Sequence, residues 1–216
     1  MTTTPSGLLV LPRGTLPKLR RADPAMAKLI AHVGKFRLER GTAGSHLGAL
    51  VRSIVYQQLS GKAAATIHGR VAQLFHPDPF PDPVAILARP DTDLRAAGLS
   101  RPKIAAIRDL CTKVAEGTLT LDDIDACDDE AVTARLTQVR GIGVWSAQMF
   151  LMFHLGRLDV WPTGDLGVQK GVAKLYRMRG LPSLTRMEKV GELFRPYRSV
   201  ASWYLWRLID DKGGTF

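Results

Sequence analysis

The chain has 216 residues, of which 45% are hydrophobic, and its formal net charge at pH 7 is +10. That length suffices for one well-packed domain or two closely fused lobes. The sequence contains no apolar run of 18 residues, so no membrane partner is expected, and its two cysteines, Cys111 and Cys127, are too few for a disulfide framework or a four-cysteine metal site.

The charge is unevenly distributed along the chain. Residues 1–70 hold eleven Lys or Arg against two acidic residues, residues 71–130 hold six against twelve, and residues 131–216 hold thirteen against six. If the two basic ends pack together, they form one positive face of the kind that binds a polyanion. Surface charge spread evenly in space is the alternative.

The first part of the chain predicts an extended arm followed by helices. Residues 1–23 are rich in proline and form the predicted N-terminal arm, and residues 24–216 form a helical domain. PAMAKLIAHVG, from Pro24, predicts a helix that begins at proline and ends at glycine. Residues 45–75 predict two helices separated by QQLSGKAA, a polar junction with one isolated leucine, Leu59.

The middle of the chain predicts short helices after a surface connection. HPDPFPDP, residues 76–83, contains too much proline for regular structure. PVAILA, DTDLRAAGLS and RPKIAAIRDLCTKVAEG then have helical spacing. Lys103 and Arg108 in the last of these either reach a phosphate or lie in solvent, and the pattern alone does not distinguish the two.

A glycine hairpin, VRGIG, precedes the next predicted helix. Gly141 and Gly143 bracket one apolar residue, and apolar side chains then recur at helical spacing, which predicts a largely buried helix from Val144 to Leu155. The amides at a helix start after such a turn suit a phosphate. An ordinary helix–loop–helix turn is the alternative for this motif taken alone.

An aspartate marks the start of a further helix. Asp165 follows the breaker cluster PTG and precedes LGVQKGVAKLY, so it lies near a helix N-terminus, where a plain N-cap is the alternative to a chemical role. SLTRMEKVGELF and RPYRSVASWYLWRLID predict two more helices, and no segment has the period of two that a strand requires. The predicted fold class is all-α.

The three motifs together resemble the helix-hairpin-helix (HhH-GPD) DNA glycosylase superfamily, in its compact 3-methyladenine DNA glycosylase II type. The motifs are QQLSGKAA, LTQVRGIGVWSA and PTGDLGVQKG, and the resemblance spans about residues 24–210. It implies a two-lobed helical fold with the active-site cleft between the lobes and the hairpin motif at about residues 131–155. It also implies an enzyme that flips alkylated bases, 3-methyladenine among them, and excises them hydrolytically in base excision repair.

The resemblance also implies the reaction type and the chemical roles. Bifunctional relatives carry a lysine nucleophile two residues after the second hairpin glycine, where this chain has Trp145, so a monofunctional enzyme without AP-lyase activity is expected. Asp165 would be the catalytic residue, opposing positive charge at C1′ or handling the attacking water, and the two roles stay open. The expected base-pocket residues are Trp145, Met149, Trp206 and Tyr56, and the last of these packs in the core under the alternative interpretation.

The remaining implied residues contact DNA or a cation. The DNA contacts are Gln58, Leu59, Ser60, Lys62, Gly141, Gly143 and Val144, with Leu59 as the apolar wedge that fills the gap left by a flipped base. The backbone carbonyls of Thr137, Val139 and Ile142 would hold Na⁺ or K⁺. No cofactor is required, and no iron–sulfur cluster is expected.

The expected partner is double-stranded DNA that contains damaged bases, bound by a monomer. The start of the chain lacks a signal-peptide pattern, so an intracellular protein is expected, cytoplasmic and nucleoid-associated if its source is bacterial or archaeal. The alternatives are a non-catalytic hairpin module that binds damaged DNA, which an aspartate at position 165 argues against, and a general helical DNA-binding regulator.

Overall fold

The fold was obtained as a computed structural model, which describes residues 7–41, 44–77 and 82–211. Within those ranges the structure is helical, and its only strand-like feature is an isolated antiparallel bridge between Leu8 and Glu39, which confirms the all-α class. The predicted connection HPDPFPDP lies partly outside the described residues, at 78–81. The helices are α1 Thr15–Ala22, α2 Pro24–Val33, α3 His46–Tyr56, α4 Gly61–Gln73, α5 Pro83–Ala88, α6 Asp91–Ala96, α7 Arg101–Ala115, α8 Asp129–Leu136, α9 Val144–Phe150, α10 Leu166–Leu175, α11 Leu184–Glu192 and α12 Arg198–Asp210.

Side-chain caps explain where several of these helices begin. The carboxylate of Asp23 accepts from the amide of Met26 at 2.6 Å ahead of α2, and the hydroxyl of Ser45 accepts from Gly48 at 3.0 Å ahead of α3. Each cap satisfies one of the amides that a helix start leaves without an intrahelical partner. The predicted helices at Pro24 and after Ser45 are therefore confirmed.

The prediction of an extended arm over residues 1–23 is wrong for residues 15–22. Thr15–Ala22 is α1, and Leu9 and Leu19 are buried. The amide of Leu9 donates to the carbonyl of Leu38 at 2.9 Å, which ties the segment before α1 to the chain after α2. Leu9 and Leu19 are therefore core residues, and a proline within the first turn of α1 is compatible with a helix.

The predicted helix from Val144 to Leu155 changes type part-way along. Val144–Phe150 is α-helical, and Leu151–Leu155 forms a single π-helical turn. The segment is largely buried, as predicted, because every residue from 146 to 155 is buried or partly buried. Val144 and Trp145, in the first turn after the hairpin, are 56% and 44% exposed.

The chain forms two compact units, and the first joins the two ends of the sequence. It comprises residues 1–40 and 151–216, which together hold nineteen Lys or Arg against eight acidic residues. Most of the basic residues of the two ends therefore belong to one unit, which meets the condition for a shared positive face. Its core surrounds α12, where Trp203, Tyr204 and Leu205 are buried against α2 and α10.

The second unit, residues 41–150, contains α3 to α9. The central element is α7, which contacts α3, α5 and α6. Arg108 of α7 donates to the carbonyls of Ile86 and Leu87 at the end of α5, at 2.9 and 2.6 Å, and Lys103 donates to carbonyls at the end of α3. Both basic residues therefore hold neighbouring helix ends, where a cation is favourable.

No helix among residues 7–41, 44–77 and 82–211 is long and apolar enough to cross a membrane.

Neither Cys111 nor Cys127 forms a disulfide within the described chain. Burial of Cys111 raises the pKa of its thiol to about 12, because the thiolate is poorly stabilised in an apolar interior, so Cys111 is a core residue.

Candidate active site and DNA-contact elements

Asp165 is the N-cap of α10 and is almost buried, with 9% of its surface exposed. Its Oδ1 accepts from the amide of Val168 at 2.8 Å. The backbone amide of Asp165 donates to the carbonyl of Pro162 at 3.0 Å, which closes the turn before α10. The turn formed by Pro162, Thr163 and Gly164 therefore places Asp165 as a cap, and little of its carboxylate is exposed.

Trp206 supplies a second donor to the same carboxylate oxygen. Its indole Nε1 donates to Oδ1 of Asp165 at 2.8 Å, and its ring stacks on Phe153 with the centroids 5.8 Å apart and the planes 22° from parallel. Trp206 is partly buried, whereas Trp203 and Tyr204 lie in the core. Of these three aromatic residues of α12, Trp206 is the one bonded to Asp165.

Two glycines let α12 approach α10 closely enough for this contact. A Cβ on Gly167 would lie 2.8 Å from Cδ1 of Trp206 and 3.1 Å from Oδ1 of Asp165, and a Cβ on Gly171 would lie 2.7 Å from Cβ of Leu205. Real Cβ atoms essentially never approach other atoms more closely than 3.0 Å, so a Cβ at Gly167 would displace the Trp206 side chain and one at Gly171 would displace the backbone of α12. The Asp165–Trp206 bond thus depends on glycines one helical turn apart.

The predicted hairpin is present in the second unit. Gly141 has φ +79°, a left-handed conformation that favours glycine, and the amide of Ile142 donates to the carbonyl of Val139 at 3.0 Å to close the turn. Gly141, Gly143 and Val144 are exposed. The hairpin therefore presents backbone at the surface directly before α9, as a phosphate contact requires.

Trp145 and Met149 lie one helical turn apart on α9. Trp145 is 44% exposed, and Met149 is partly buried. An indole at the surface offers a flat apolar face on which a base could stack. Their exposure is compatible with the predicted contact with a base, and that role stays a prediction.

The predicted DNA-contact turn between α3 and α4 is exposed. Leu59 is 39% exposed, and Gln58, Ser60 and Lys62 are exposed as well. Ser60 is the N-cap of α4, with its hydroxyl accepting from the amide of Ala63 at 3.4 Å. An apolar side chain at an exposed polar turn is placed as a wedge must be.

Tyr56 borders this turn and is partly buried. The guanidinium carbon of Arg52 lies 4.1 Å from the centroid of the Tyr56 ring, and the ring of His68 packs edge-on at 6.0 Å. Burial and the charge of Arg52 lower the pKa of His68. These neighbours account for Tyr56 by packing within its own unit, and they favour the core interpretation over a pocket role.

The matching family model is described as "HhH-GPD superfamily base excision DNA repair protein", and it covers residues 51–196. That range includes the turn at Leu59, the glycine hairpin and Asp165. The chain belongs to this superfamily. The predicted family is confirmed, and so is the predicted fold class.

Two curated relatives illustrate the similarity. The chain is 32% identical over 187 residues to "DNA-3-methyladenine glycosylase 1" of Schizosaccharomyces pombe, covering 86% of this chain and 82% of the relative. It is also 32% identical over 166 residues to a putative DNA-3-methyladenine glycosylase of Bacillus subtilis, covering 74% of this chain and 58% of that longer relative.

Solved structures have the same fold. A 3-methyladenine DNA glycosylase of Schizosaccharomyces pombe in complex with abasic DNA matches with a TM-score of 0.84 and 30% identity, covering 94% of this chain and 99% of that one. A DNA-3-methyladenine glycosidase of Bacillus halodurans matches with a TM-score of 0.80 and 35% identity, covering 91% and 89% of the two chains.

Sequence reasoning missed the structural roles of three residues, among them Gln57, for which the polar junction had indicated contact with base edges or the opposite strand. Phe153 supports Trp206 by stacking, and Gly167 makes room for it. Gln57 donates to the carbonyl of Gly141 and the hydroxyl of Ser146, at 2.9 and 3.1 Å. The recurrence of glycine at 167 and 171 was a readable signal of close helix packing, whereas the pairing of Gln57 with the hairpin spans 84 residues and left no local signal.

Proposed function

We propose that this protein is a monofunctional DNA glycosylase that excises alkylated bases, 3-methyladenine and related adducts, from double-stranded DNA. The observation that carries the proposal is Asp165, a nearly buried carboxylate that two donors orient at the start of α10. The names of the relatives support the substrate class. The nineteen basic residues of the first unit supply positive charge for a polyanion.

The proposed reaction breaks the N-glycosidic bond. Its electron pair leaves with the base, and an alkylated base that already carries a positive charge departs neutral without needing a proton. The sugar gains positive charge at C1′, which the nearly buried carboxylate of Asp165 opposes. A water oxygen then bonds to C1′ and its proton passes to Asp165 or to solvent, leaving an abasic site and an intact strand.

The donors on Asp165 keep the carboxylate in one orientation. Val168 is a backbone donor fixed by α10, and Trp206 is a side-chain donor fixed by its stack on Phe153. Electrostatic stabilisation is strongest when the stabilising group needs no rearrangement during the reaction. Trp206 therefore acts as a positioning residue for Asp165, in addition to its predicted stacking on the base.

A monovalent cation would fit the hairpin at the carbonyls of Thr137, Val139 and Ile142. The Val139 carbonyl accepts from the amide of Ile142 at 3.0 Å, and a carbonyl oxygen has a second lone pair for a further ligand. Carbonyl oxygens are ligands suited to hard cations such as Na⁺ or K⁺. A bound ion would add positive charge beside a DNA phosphate and takes no part in the proposed chemistry.

The direct test is base release by the purified protein. Duplexes that contain 3-methyladenine, 7-methylguanine, 1,N6-ethenoadenine, hypoxanthine or uracil are incubated with the protein, and free bases are separated and measured. Release of 3-methyladenine is the expected result, and the panel defines the breadth of the substrate range. Binding to damaged duplex without release of any base would instead favour a non-catalytic damage-binding module.

The monofunctional reaction predicts no covalent enzyme–DNA adduct. The resemblance implies that Trp145 stands at the position of the lysine of bifunctional members, and an indole cannot form a Schiff base. Borohydride added during base release should therefore trap no protein–DNA species, and the abasic strand should stay intact until alkali is added. A bifunctional 8-oxoguanine glycosylase assayed in parallel is the positive control. A trapped adduct would show that some amine in the chain attacks C1′.

The wedge role predicts a binding defect for Leu59→Ala. We expect its affinity for a duplex with an abasic site to fall about tenfold, because the truncated side chain no longer fills the gap in the base stack. Asp165→Asn should bind that duplex almost as wild type does, since no base remains to be released. Fluorescence anisotropy at fixed salt measures both affinities. An equal or smaller loss for Leu59→Ala than for Asp165→Asn would overturn the wedge assignment.

A further inference from the structure

The turn that carries Leu59 has a backbone conformation that its own residues disfavour. Gln58 has φ +56°, in the left-handed region where a side chain with a Cβ is unfavourable. The amide of Leu59 donates to the carbonyl of Tyr56 at a long 3.4 Å. Such a conformation persists only where surrounding contacts hold it, so the source of those contacts decides how firmly Leu59 is positioned.

Two long polar side chains hold the turn. Nε2 of Gln57 donates to the carbonyl of Gly141 at 2.9 Å and to the hydroxyl of Ser146 at 3.1 Å, which bonds the turn to the hairpin and to α9. Nζ of Lys103 donates to the carbonyls of Val55 at 2.5 Å and Gln57 at 2.9 Å. These carbonyls lie at the end of α3, where intrahelical donors run out.

The helix that supplies Lys103 also supports the hairpin. A Cβ on Gly141 would lie 3.2 Å from Cβ of Ala106, so the hairpin backbone packs directly on α7. Oδ2 of Asp109 accepts from the amide of Arg140 at 2.8 Å. Lys103, Ala106 and Asp109 are three residues apart, which places them along one side of α7.

Two ionisable residues of α7, Lys103 and Asp109, make these contacts. Burial lowers the pKa of Lys103. For Asp109, burial acts to raise the pKa, but hydrogen bonds from Lys113 and from the amide of Arg140 outweigh it and lower the pKa overall. The carboxylate is therefore the favoured form of Asp109, and it holds the hairpin through a charge-assisted bond to the backbone.

We propose that Gln57 and Lys103 are positioning residues for the wedge, fixing the turn of residues 56–60 to the hairpin so that Leu59 and the phosphate contact stay in register. The inference rests on the proposed function, since it assigns these residues to recognition of a duplex with one base out of the stack. A turn ordered before binding loses little conformational freedom on binding. Neither side chain needs to touch DNA to act in this way.

The test compares binding to abasic-site duplex with binding to undamaged duplex. Gln57→Glu keeps the side-chain shape but replaces the donating amide with a carboxylate that faces the Gly141 carbonyl. We expect it to lower the ratio of the two affinities up to about tenfold, the upper end of what the loss of one hydrogen bond gives. Gln73→Glu adds the same charge at an exposed position of α4, and it should leave the ratio unchanged.

A double-mutant cycle separates positioning from direct contact. If Gln57 acts through Leu59, Gln57→Glu should not lower the ratio further in a Leu59→Ala background. Lys103→Met, which removes the cation but keeps the chain length, should behave in the same way. The proposal would be overturned if both variants lowered the affinity ratio in the Leu59→Ala background by as much as they do in the wild-type background. It would also be overturned if the wild-type protein bound abasic-site and undamaged duplex equally well.

The cycle does not depend on catalysis, so it separates this inference from the proposed function. A wild-type protein that discriminates abasic DNA but releases no base would overturn the glycosylase assignment and leave the cycle to decide the role of Gln57. Thermal unfolding of each variant identifies loss of fold. If Gln57→Glu does not fold, Gln57→Ala replaces it, since alanine removes the donor without adding a charge.

Discussion

Asp165→Asn is expected to lower the single-turnover rate of 3-methyladenine release about 10²- to 10³-fold, the loss typical when one electrostatic stabiliser of a transition state is removed. The amide is neutral and cannot oppose the charge that develops at C1′. It is also a poor base toward water, so the same variant removes both roles that the sequence leaves open for Asp165.

The structure explains why this substitution should spare the fold. Oδ1 of Asp165 accepts from Val168 and Trp206, and the amide oxygen of asparagine can accept both bonds. Asparagine is also as good an N-cap as aspartate. The melting temperature of Asp165→Asn should therefore stay close to that of wild type, while Asp165→Ala, which loses the cap, should be destabilised by about 1 kcal/mol.

Asp210→Asn is the matched control for charge. Asp210 lies in the same unit and forms a surface ion pair with Arg207 at 2.7 Å, a kind of pair that contributes little to stability. The Asp210→Asn substitution removes one negative charge and leaves Asp165 unchanged. This variant should therefore release 3-methyladenine at the wild-type rate. Full activity in Asp165→Asn would show that another group supplies the catalytic charge.

The sequence predicted the helical fold well because its signals are local. The helix α2 begins at Pro24 and ends before Gly34, and serine N-caps precede α3 and α4. The error at α1 has a physical cause as well, since its N-cap is Gly14 in a left-handed conformation without a side-chain bond. A helix that begins without a capping side chain, among prolines, offers little local pattern to identify it.

The candidate site was only partly predictable, for reasons of distance along the chain. Asp165 and the glycine hairpin could be found because their neighbours in sequence define them. The bond from Trp206 to Asp165 joins residues 41 apart, and the bond from Gln57 to Gly141 joins residues 84 apart. Such pairs depend on how helices pack, which residue spacing within one helix does not encode.

Gly167→Ala is expected to slow base release about 10²-fold, because a displacement of about 1 Å in a catalytic group can cost that much. The added Cβ would meet the indole of Trp206 at 2.8 Å and Oδ1 of Asp165 at 3.1 Å. The indole and the carboxylate must then move away from the added Cβ. The indole can no longer hold the carboxylate in place. Alanine suits a helix better than glycine, so the melting temperature should fall little.

Two other glycines separate this effect from a general loss of packing. Gly171→Ala places a Cβ 2.9 Å from the backbone carbonyl oxygen of Leu205, which cannot move without shifting α12, so a stability loss of about 1–3 kcal/mol is expected. Gly180 is exposed, and its added Cβ would meet no described atom within 4 Å. Gly180→Ala should therefore match wild type in both rate and melting temperature.

Trp206→Phe decides whether the Gly167 effect passes through the indole. Phenylalanine keeps a ring against Phe153 but has no N–H to donate to Asp165. If the indole is the link, Trp206→Phe alone should slow base release, and adding Gly167→Ala should cost much less than it does in the wild-type background. Fully multiplicative losses, or a Gly167→Ala variant as fast as wild type, would mean that Asp165 keeps its orientation without Trp206.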